Sequence, residues 1–290
     1  MKKIYILAFL LLLPWWGRGQ DDTIKLGVAL SGGAAKGYAH LGVLQALDEA
    51  NIQVDVISGT SMGAIVGLFY AAGYTPKEIM QMAKDEKMDG FNKVMNGNGR
   101  KHRYRRLRHI IYKHIPSNCF DSLQIPFYCC ATDINNVRPV YVGHGLLLAQ
   151  YVTASASMPM VFKPIVINDI TYVDGGVLDN LPVKPLIDEG CNIRIGSYIR
   201  NDRPTPNLKK KDIAYRTASI ILDANLYDRL PLCTHIAEID RRNLSLWDFD
   251  RIDEFFNYGY EAGKKLLQDH PELLLHQRKT PPAPIEIKPN

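Results

Sequence analysis

Ser61 has the most distinctive setting of any nucleophilic side chain in this sequence. It is the middle residue of Gly59-Thr60-Ser61-Met62-Gly63, which follows a β-type run at 54–57 and precedes an apolar, small-residue run at 64–72. Glycines two residues to either side allow a sharp turn that projects the hydroxyl from the end of a strand. The helix that follows offers free N–H groups, that of Met62 first, and partial positive charge to an oxyanion. The spacing predicts Ser61 as the nucleophile of an acyl transfer.

A second loop of small residues, Ser31-Gly32-Gly33-Ala34-Ala35-Lys36-Gly37, also joins a predicted strand to a predicted helix. The backbone N–H groups of Gly32, Gly33 and Ala34 could approach an oxyanion closely, and Lys36 adds positive charge. A dinucleotide-binding loop is disfavoured, because the middle glycine of its G-x-G-x-x-G pattern would fall on Ala34 and no acidic residue ends the second strand. A tight turn without chemistry remains an alternative.

A base must activate Ser61, and the sequence favours a carboxylate for this role. Tyr172-Val173-Asp174-Gly175-Gly176 places Asp174 at the end of a predicted strand, and none of the eight histidines occupies an evident catalytic loop. An aspartate can take the serine proton directly, although it is a weaker base than imidazole. The alternative is that Asp-Gly-Gly is simply a turn.

Two other serines and a basic run have other interpretations. Ser155 and Ser157 lack flanking glycines and a strand-to-helix turn, which indicates packing residues. The basic run at 101–108 could contact anionic headgroups, at about 1 kcal/mol per basic residue. A solvated helix face is the alternative for that run.

The elements that must position these residues alternate between strand and helix, which predicts an α/β fold. Two strand-turn-helix units follow each other within residues 24–72, as at the start of a parallel sheet. Residues 88–102 form a predicted loop, and the sequence contains no repeat or linker. The remaining predicted strands are 126–132, 137–142, 171–173, 193–199 and 234–239, and the remaining predicted helices are 145–155, 211–226, 250–268 and one that begins with a capping box at Thr75, Pro76 and Glu78.

The first 19 residues have the pattern of a cleaved signal peptide. Lys2 and Lys3 precede an apolar run at 4–13, and a small, polar stretch follows at 17–20. The apolar run is shorter than the ~20 residues of a spanning helix. We therefore expect export to the periplasm or the medium, with residues 20–270 as the folded domain and 271–290 as an extended tail. An uncleaved membrane anchor is the alternative.

Composition excludes some classes of protein. Removing the leader leaves about 271 residues, enough for one large α/β domain, and lowers the formal net charge from +5 to about +2. That charge is too small to predict nucleic-acid binding. The five cysteines are odd in number, so their pairing stays open, and neither they nor the histidines have the spacing of a metal site. No metal and no cofactor is predicted.

Together these motifs resemble the patatin-like phospholipase family over about residues 25–200. The glycine-rich loop of the family, G-G-G-x-[RK]-G, is similar to residues 32–37 ending at Gly37, its G-x-S-x-G turn to residues 59–63, and its D-G-[AG] motif to residues 174–176. The chain departs from the family in having Ala34 for the third glycine and Lys36 where arginine is frequent. Neither change removes a backbone donor or the positive charge.

The resemblance implies a three-layer α/β/α sandwich with a mainly parallel central sheet. It further implies a Ser–Asp dyad, Ser61 and Asp174, that cleaves acyl esters of lipids without a metal. A soluble short-chain esterase or thioesterase with the same dyad, and a non-catalytic lipid-binding relative, are the alternatives. Peripheral membrane contact is compatible with each, and the oligomeric state stays open.

Overall fold

The computed structural model describes residues 24–85, 102–159, 161–200, 213, 216–217, 220–221, 223–240 and 248–278. The predicted leader lies outside these residues, as does nearly all of the predicted loop at 88–102. Export therefore stays a prediction. Within the predicted helix 211–226, the described positions before residue 225 are helical.

Within the described residues, one mixed sheet of eight strands forms the centre of the molecule. The strands are β1 Leu26–Leu30, β2 Val56–Thr60, β3 Phe127–Asp133, β4 Arg138–Val142, β5 Ile165–Ile167, β6 Ile170–Asp174, β7 Ile193–Arg200 and β8 His235–Asp240. Their order in the sheet is β5-β6-β3-β2-β1-β7-β8, with β4 also paired to β3. Strands β3, β2, β1, β7 and β8 are parallel, whereas β4, β5 and β6 pair in antiparallel fashion.

Helices cover the sheet and connect its strands. The predicted capping box at the start of the helix Pro76–Asp85 is confirmed, since Thr75 N–H donates to Glu78 Oε2 at 2.8 Å and Glu78 N–H donates to Thr75 Oγ1 at 3.3 Å. The α-helices are α1 Ala39–Glu49, α2 Met62–Ala71, α3 Pro76–Asp85, α4 His102–His114, α5 Leu148–Ser155, α6 Lys184–Asp188, α7 Leu226–Arg229 and α8 Ile252–Asp269. Short 3-10 helices span Ala34–Tyr38, Phe120–Ser122, Gly175–Val177, Leu230–Leu232 and Pro271–Leu275.

Both faces of the central strands β1 and β2 are buried, as the continuous apolar sequence of β1 requires. Leu26, Val28 and Leu30 pack into the large core that contains α1 and α8. Ala29 points to the opposite face, where it packs in a second cluster with Leu186 of α6. The predicted three-layer α/β/α sandwich is therefore confirmed. None of the helices in the described ranges combines the length and apolar character needed to cross a bilayer.

The predicted boundary at residue 270 is not a structural boundary. Leu273 is fully buried in the large core. Gln277 forms an isolated β-bridge with Ile52, and Arg278 Nη2 lies 2.7 Å from Asp48 Oδ1. Residues 271–278 therefore belong to the folded domain, because they supply a core side chain and an ion pair that the sequence pattern of the tail did not reveal.

Candidate active site

Ser61 lies in a sharp turn between β2 and α2. Its backbone has φ 55° and ψ −120°, a left-handed value that is uncommon for a residue with a side chain and typical of functional turns. The strand and helix approach so closely that a Cβ on Gly59 would lie 2.4 Å from Gly63 O, and one on Gly63 2.4 Å from Leu30 O. The two glycines are therefore required by contact between backbones, and the turn has the form that the sequence predicts.

The hydroxyl of Ser61 meets the carboxylate of Asp174 at the end of β6. Ser61 Oγ donates a hydrogen bond to Asp174 Oδ2 at 2.7 Å, and Gly176 N–H donates to Asp174 Oδ1 at 2.9 Å. A Cβ on Gly175 would lie 2.3 Å from Cys130 O, so this glycine lets the turn pack directly on β3. The fold thus brings together two residues that lie 113 positions apart in the chain.

Burial gives Asp174 an unusual affinity for its proton. Burial raises the pKa of Asp174 from 3.8 to about 7, while hydrogen bonds from Ser61 and Gly176 act in the opposite direction. A carboxylate with a pKa near neutrality is a far better proton acceptor than an ordinary aspartate, yet it is substantially ionised at pH 7. The site can therefore compensate for the weak basicity expected of an aspartate.

Three backbone amides near Ser61 are available to an oxyanion. In the part of the chain that the structure describes, no protein group accepts a hydrogen bond from the N–H of Gly33, Ala34 or Met62. The sequence predicts Gly32 as a further donor, but its N–H already points to the side-chain and backbone oxygens of Asn180, each at 3.2 Å. Gly32 therefore anchors the loop, and the role of the other three amides as oxyanion donors stays a prediction.

Ala34 and Gly37 shape the glycine-rich loop in different ways. Ala34 has φ 50°, a conformation that favours glycine, at the position where the family pattern has its third glycine. A Cβ on Gly37 would lie 2.4 Å from Met62 Cγ, so Gly37 makes room for that side chain. The Lys36 side chain is only 1% exposed and does not line the pocket beside Ser61, so its electrostatic role stays a prediction.

An apolar pocket opens beside Ser61. Its walls come from the glycine-rich loop, α2 and the segment that follows α5, and they carry no charged side chain among the described residues. Such a lining favours apolar groups over polar ones next to Ser61. The lining residues besides Ser61 are Ala34, Met62, Ile65, Ala156, Met158 and Phe162.

The two serines considered as rival nucleophiles both support the site. Ser155 Oγ accepts a hydrogen bond from Ser61 N–H at 2.9 Å, which orients the backbone of the turn. Ser157 Oγ donates to Thr153 O at 2.7 Å, and its carbonyl accepts from Asp174 N–H at 3.0 Å. Both side chains are buried, as the packing interpretation of the sequence predicts.

Two asparagines that the sequence analysis missed connect the loops of the site. Asn180, which holds Gly32, donates its own N–H to Asn225 Oδ1 at 2.8 Å. Asn225 Nδ2 in turn donates to Gly176 O at 3.0 Å. The asparagines thereby tie the glycine-rich loop to the Asp174 turn. Asn180 was detectable only by its position six residues after Asp174, and Asn225 had no sequence signal.

His40 supports the glycine-rich loop from beneath. Its Nε2 lies 2.8 Å from Ser31 O and its Nδ1 lies 2.8 Å from Ser197 Oγ. Burial lowers the pKa of His40 to about 4, although the hydrogen bond to Ser31 acts the other way, so the ring is neutral at pH 7. Among the described residues, no histidine is hydrogen-bonded to Ser61.

We expect the stability difference between wild type and His40→Gln to depend on pH. The pKa of His40 is about 4 in the folded state and 6.5 in the unfolded chain. Between pH 4 and pH 6.5 the unfolded chain therefore binds a proton at this residue that the folded state does not. The wild type therefore loses up to about 3 kcal/mol relative to the variant as pH falls from 7 to 4. Urea unfolding of both proteins at pH 7, 5.5 and 4 measures this difference, and a constant difference would contradict the buried neutral ring.

Comparison with known proteins identifies the family. The model of the patatin-like phospholipase family matches residues 28–187, which include Ser61 and Asp174 and cover more than half of the chain. The chain belongs to this family, which confirms the resemblance inferred from its motifs. The lipid-ester hydrolase class predicted from the sequence agrees with this membership.

Known relatives cover most of the chain but are themselves much longer. Lysophospholipase NTE1 of Candida glabrata is 28% identical over an alignment of 300 positions, which covers 87% of this chain and 17% of that protein. Lysophospholipase NTE1 of Kluyveromyces lactis is 26% identical over 84% of this chain and 19% of its own length. The crystal structure of VipD from Legionella pneumophila agrees with the fold. It matches with a TM-score of 0.50 and 17% identity, and the match covers 85% of this chain and 67% of that one. The chain thus spans about a fifth of the curated relatives it matches.

Proposed function

We propose that this protein hydrolyses acyl esters of lipids, with Ser61 as nucleophile and Asp174 as general base. The observation that carries the proposal is the 2.7 Å hydrogen bond from the strained Ser61 turn to a buried Asp174 with a pKa of about 7. Family membership and the apolar pocket support a lipid substrate. The names of the fungal relatives favour a lysophospholipid.

In the proposed reaction, Asp174 accepts the proton of Ser61 as Oγ attacks the ester carbonyl. The negative charge that develops on the carbonyl oxygen is stabilised by the amides of Gly33, Ala34 and Met62 and by the N-terminus of α2. Protonated Asp174 then donates to the leaving alcohol, which leaves the acyl group on Ser61. Water attacks this acyl-enzyme with Asp174 again as base, and the fatty acid departs as Ser61 regains its proton.

One assay distinguishes the proposal from its two alternatives. The purified protein is incubated with a palmitoyl lysophospholipid and, separately, with p-nitrophenyl acetate and a short-chain thioester, and the released acids and thiols are quantified. The proposal requires release of palmitate at a higher kcat/KM than acetate. A preference for the short esters supports the soluble esterase. In a parallel sample the protein is treated with a fluorophosphonate, and failure to form an adduct on Ser61 supports a non-catalytic relative.

Phe162 tests whether the apolar pocket holds the acyl chain. Phe162→Ala removes apolar surface from the lining, so longer acyl chains should lose binding energy at a scale of about 0.8 kcal/mol per methylene that loses its contact. We expect KM for a palmitoyl ester to rise about tenfold, while kcat/KM for p-nitrophenyl acetate changes less than twofold. An equal effect on both substrates would contradict a chain-binding role for this pocket.

Contact with an anionic membrane surface is a further part of the proposal. Arg105 and Arg106 are exposed on α4, within the basic run that the sequence analysis singled out. Exposed basic side chains are attracted to anionic headgroups, and the attraction weakens as salt screens it. This contact would bring a membrane-embedded ester to the same domain that carries Ser61.

A further inference from the structure

A cluster of three metal-ligand side chains lies outside the site described above. His235 is the first residue of β8, His270 directly follows α8, and Glu272 lies in the 3-10 helix Pro271–Leu275. Each offers one ligand atom, and the three atoms lie within 4.8 Å of one another. Among the described residues, this is the one group of three or more histidine, cysteine or acidic side chains with such spacing.

The distances suit a small divalent ion. Glu272 Oε1 lies 3.2 Å from His235 Nε2 and 3.1 Å from His270 Nδ1. A tetrahedral zinc ion with bonds of 2.0–2.2 Å keeps its ligand atoms roughly 3.3 Å apart. Small side-chain adjustments would therefore bring both nitrogens and the carboxylate oxygen to bonding distance of one ion.

A neighbouring residue can hold His235 in the tautomer that a metal requires. Thr234 Oγ1 lies 2.8 Å from His235 Nδ1, and its hydroxyl has an acceptor of its own in Arg194 O at 3.2 Å. Thr234 Oγ1 can therefore accept a hydrogen bond from His235 Nδ1–H, which leaves the Nε2 lone pair directed at the cluster. Metal-bound histidines almost always donate their second ring nitrogen to such a partner.

We propose that His235, His270 and Glu272 bind one divalent transition-metal ion of the Zn²⁺ type. Two imidazoles and one carboxylate favour zinc over Mg²⁺ and Ca²⁺, which prefer oxygen ligands throughout. Three protein ligands leave a further position for water. The partial exposure of all three side chains gives the ion a route from solvent.

The ion would link two chain segments and would take no part in the chemistry at Ser61. His235 begins β8 and pairs with Ile195 of β7, so the cluster lies towards the amino ends of the parallel strands. Ser61, by contrast, follows the carboxyl end of β2. The ion would link edge strand β8 to the chain segment after α8, which also supplies the buried Leu273. A ligand that binds only the folded state raises its stability.

The test uses the untagged full chain and Zn²⁺ alone, with binding measured by competition against a chromophoric zinc indicator and stability by thermal unfolding. We expect one Zn²⁺ per chain and a rise in Tm of several degrees at saturating metal, with no rise on addition of Mg²⁺. His235→Gln and the more exposed Glu272→Gln should each weaken binding at least 100-fold. Thr234→Val should weaken it 10- to 100-fold.

His144→Gln is the matched control, because His144 also pairs with a carboxylate, that of Asp121 at 3.1 Å, but belongs to no such cluster. It should bind Zn²⁺ as the wild type does, and ester hydrolysis should be unchanged in all these variants. The proposal is overturned if the wild type binds no stoichiometric Zn²⁺, or if Glu272→Gln binds it as tightly as His144→Gln does. In either case the three side chains form only an ion-pair cluster.

Discussion

Ser61→Ala is expected to lower the turnover of a palmitoyl lysophospholipid by about four orders of magnitude or more. The substitution removes a single atom, the Oγ that lies 2.7 Å from Asp174 Oδ2. Alanine can keep the left-handed backbone of the turn about as well as serine does, so the amides of Gly33, Ala34 and Met62 should remain in place. The loss should therefore appear in kcat, with little change in substrate binding.

Fatty-acid release by mass spectrometry measures this loss, and circular dichroism with thermal unfolding verifies that the variant folds. Ser157→Ala is the matched control, because the hydroxyl of Ser157 donates its hydrogen bond to Thr153 O and does not contact Ser61. The control should keep most of the activity and should still label with a fluorophosphonate, which Ser61→Ala should not. Residual turnover of more than a few per cent in Ser61→Ala would exclude Ser61 as the nucleophile.

The parts of the site that could be predicted from sequence are those encoded within short segments. The spacing of Gly59 and Gly63 indicates that backbone segments pass each other too closely for a Cβ at either position. This spacing therefore predicts both the turn and the residue at its tip. Asp174 at a strand end with two glycines behind it is a similar local signal. The alternation of strands and helices likewise predicted an α/β fold, whereas the three-layer sandwich was implied by the family resemblance. The three-residue strand β5 was too short to be recognised.

What could not be predicted depends on contacts between distant segments. Asn225 reaches Gly176 across 49 positions, and no local pattern marks it. Gly32 was predicted as an oxyanion donor from its place in the glycine-rich loop, whereas its N–H is directed to Asn180 from another loop. The pKa of Asp174 depends on burial, which the sequence does not contain. His235 and His270 likewise come together only because β8 packs beside the end of α8.

Asp174→Asn is the second decisive substitution, and we expect it to reduce turnover nearly as far as Ser61→Ala does. Asparagine keeps the shape of the side chain and an oxygen that can accept from Gly176 N–H, but it cannot take the proton of Ser61. Because the two residues act as one unit, the double variant should be little worse than either single variant. Losses that multiply would contradict the proposed dyad.

The same variant should be more stable than the wild type at neutral and alkaline pH. Burial raises the pKa of Asp174 to about 7, so folding is opposed wherever the unfolded carboxyl would be ionised. The contribution of Asp174 to the free energy of unfolding is fully present below pH 3.8. It is lost as pH rises through about 7, by up to about 4 kcal/mol. Asparagine does not titrate, so the stability difference should grow in favour of Asp174→Asn between pH 4 and pH 8 and level off beyond.

Urea unfolding of both proteins across this pH range measures the difference, and other titrating groups cancel in the comparison. A pH–activity profile alone would be ambiguous, because a buried carboxyl with a pKa of about 7 titrates where a histidine also does. The stability profile separates them, since a raised carboxyl pKa makes the wild type weaker as pH rises, whereas the lowered pKa of His40 makes it weaker as pH falls. A stability difference that does not change with pH would mean that Asp174 titrates as an ordinary aspartate, and the proposed base would then lack the basicity that the mechanism assigns to it.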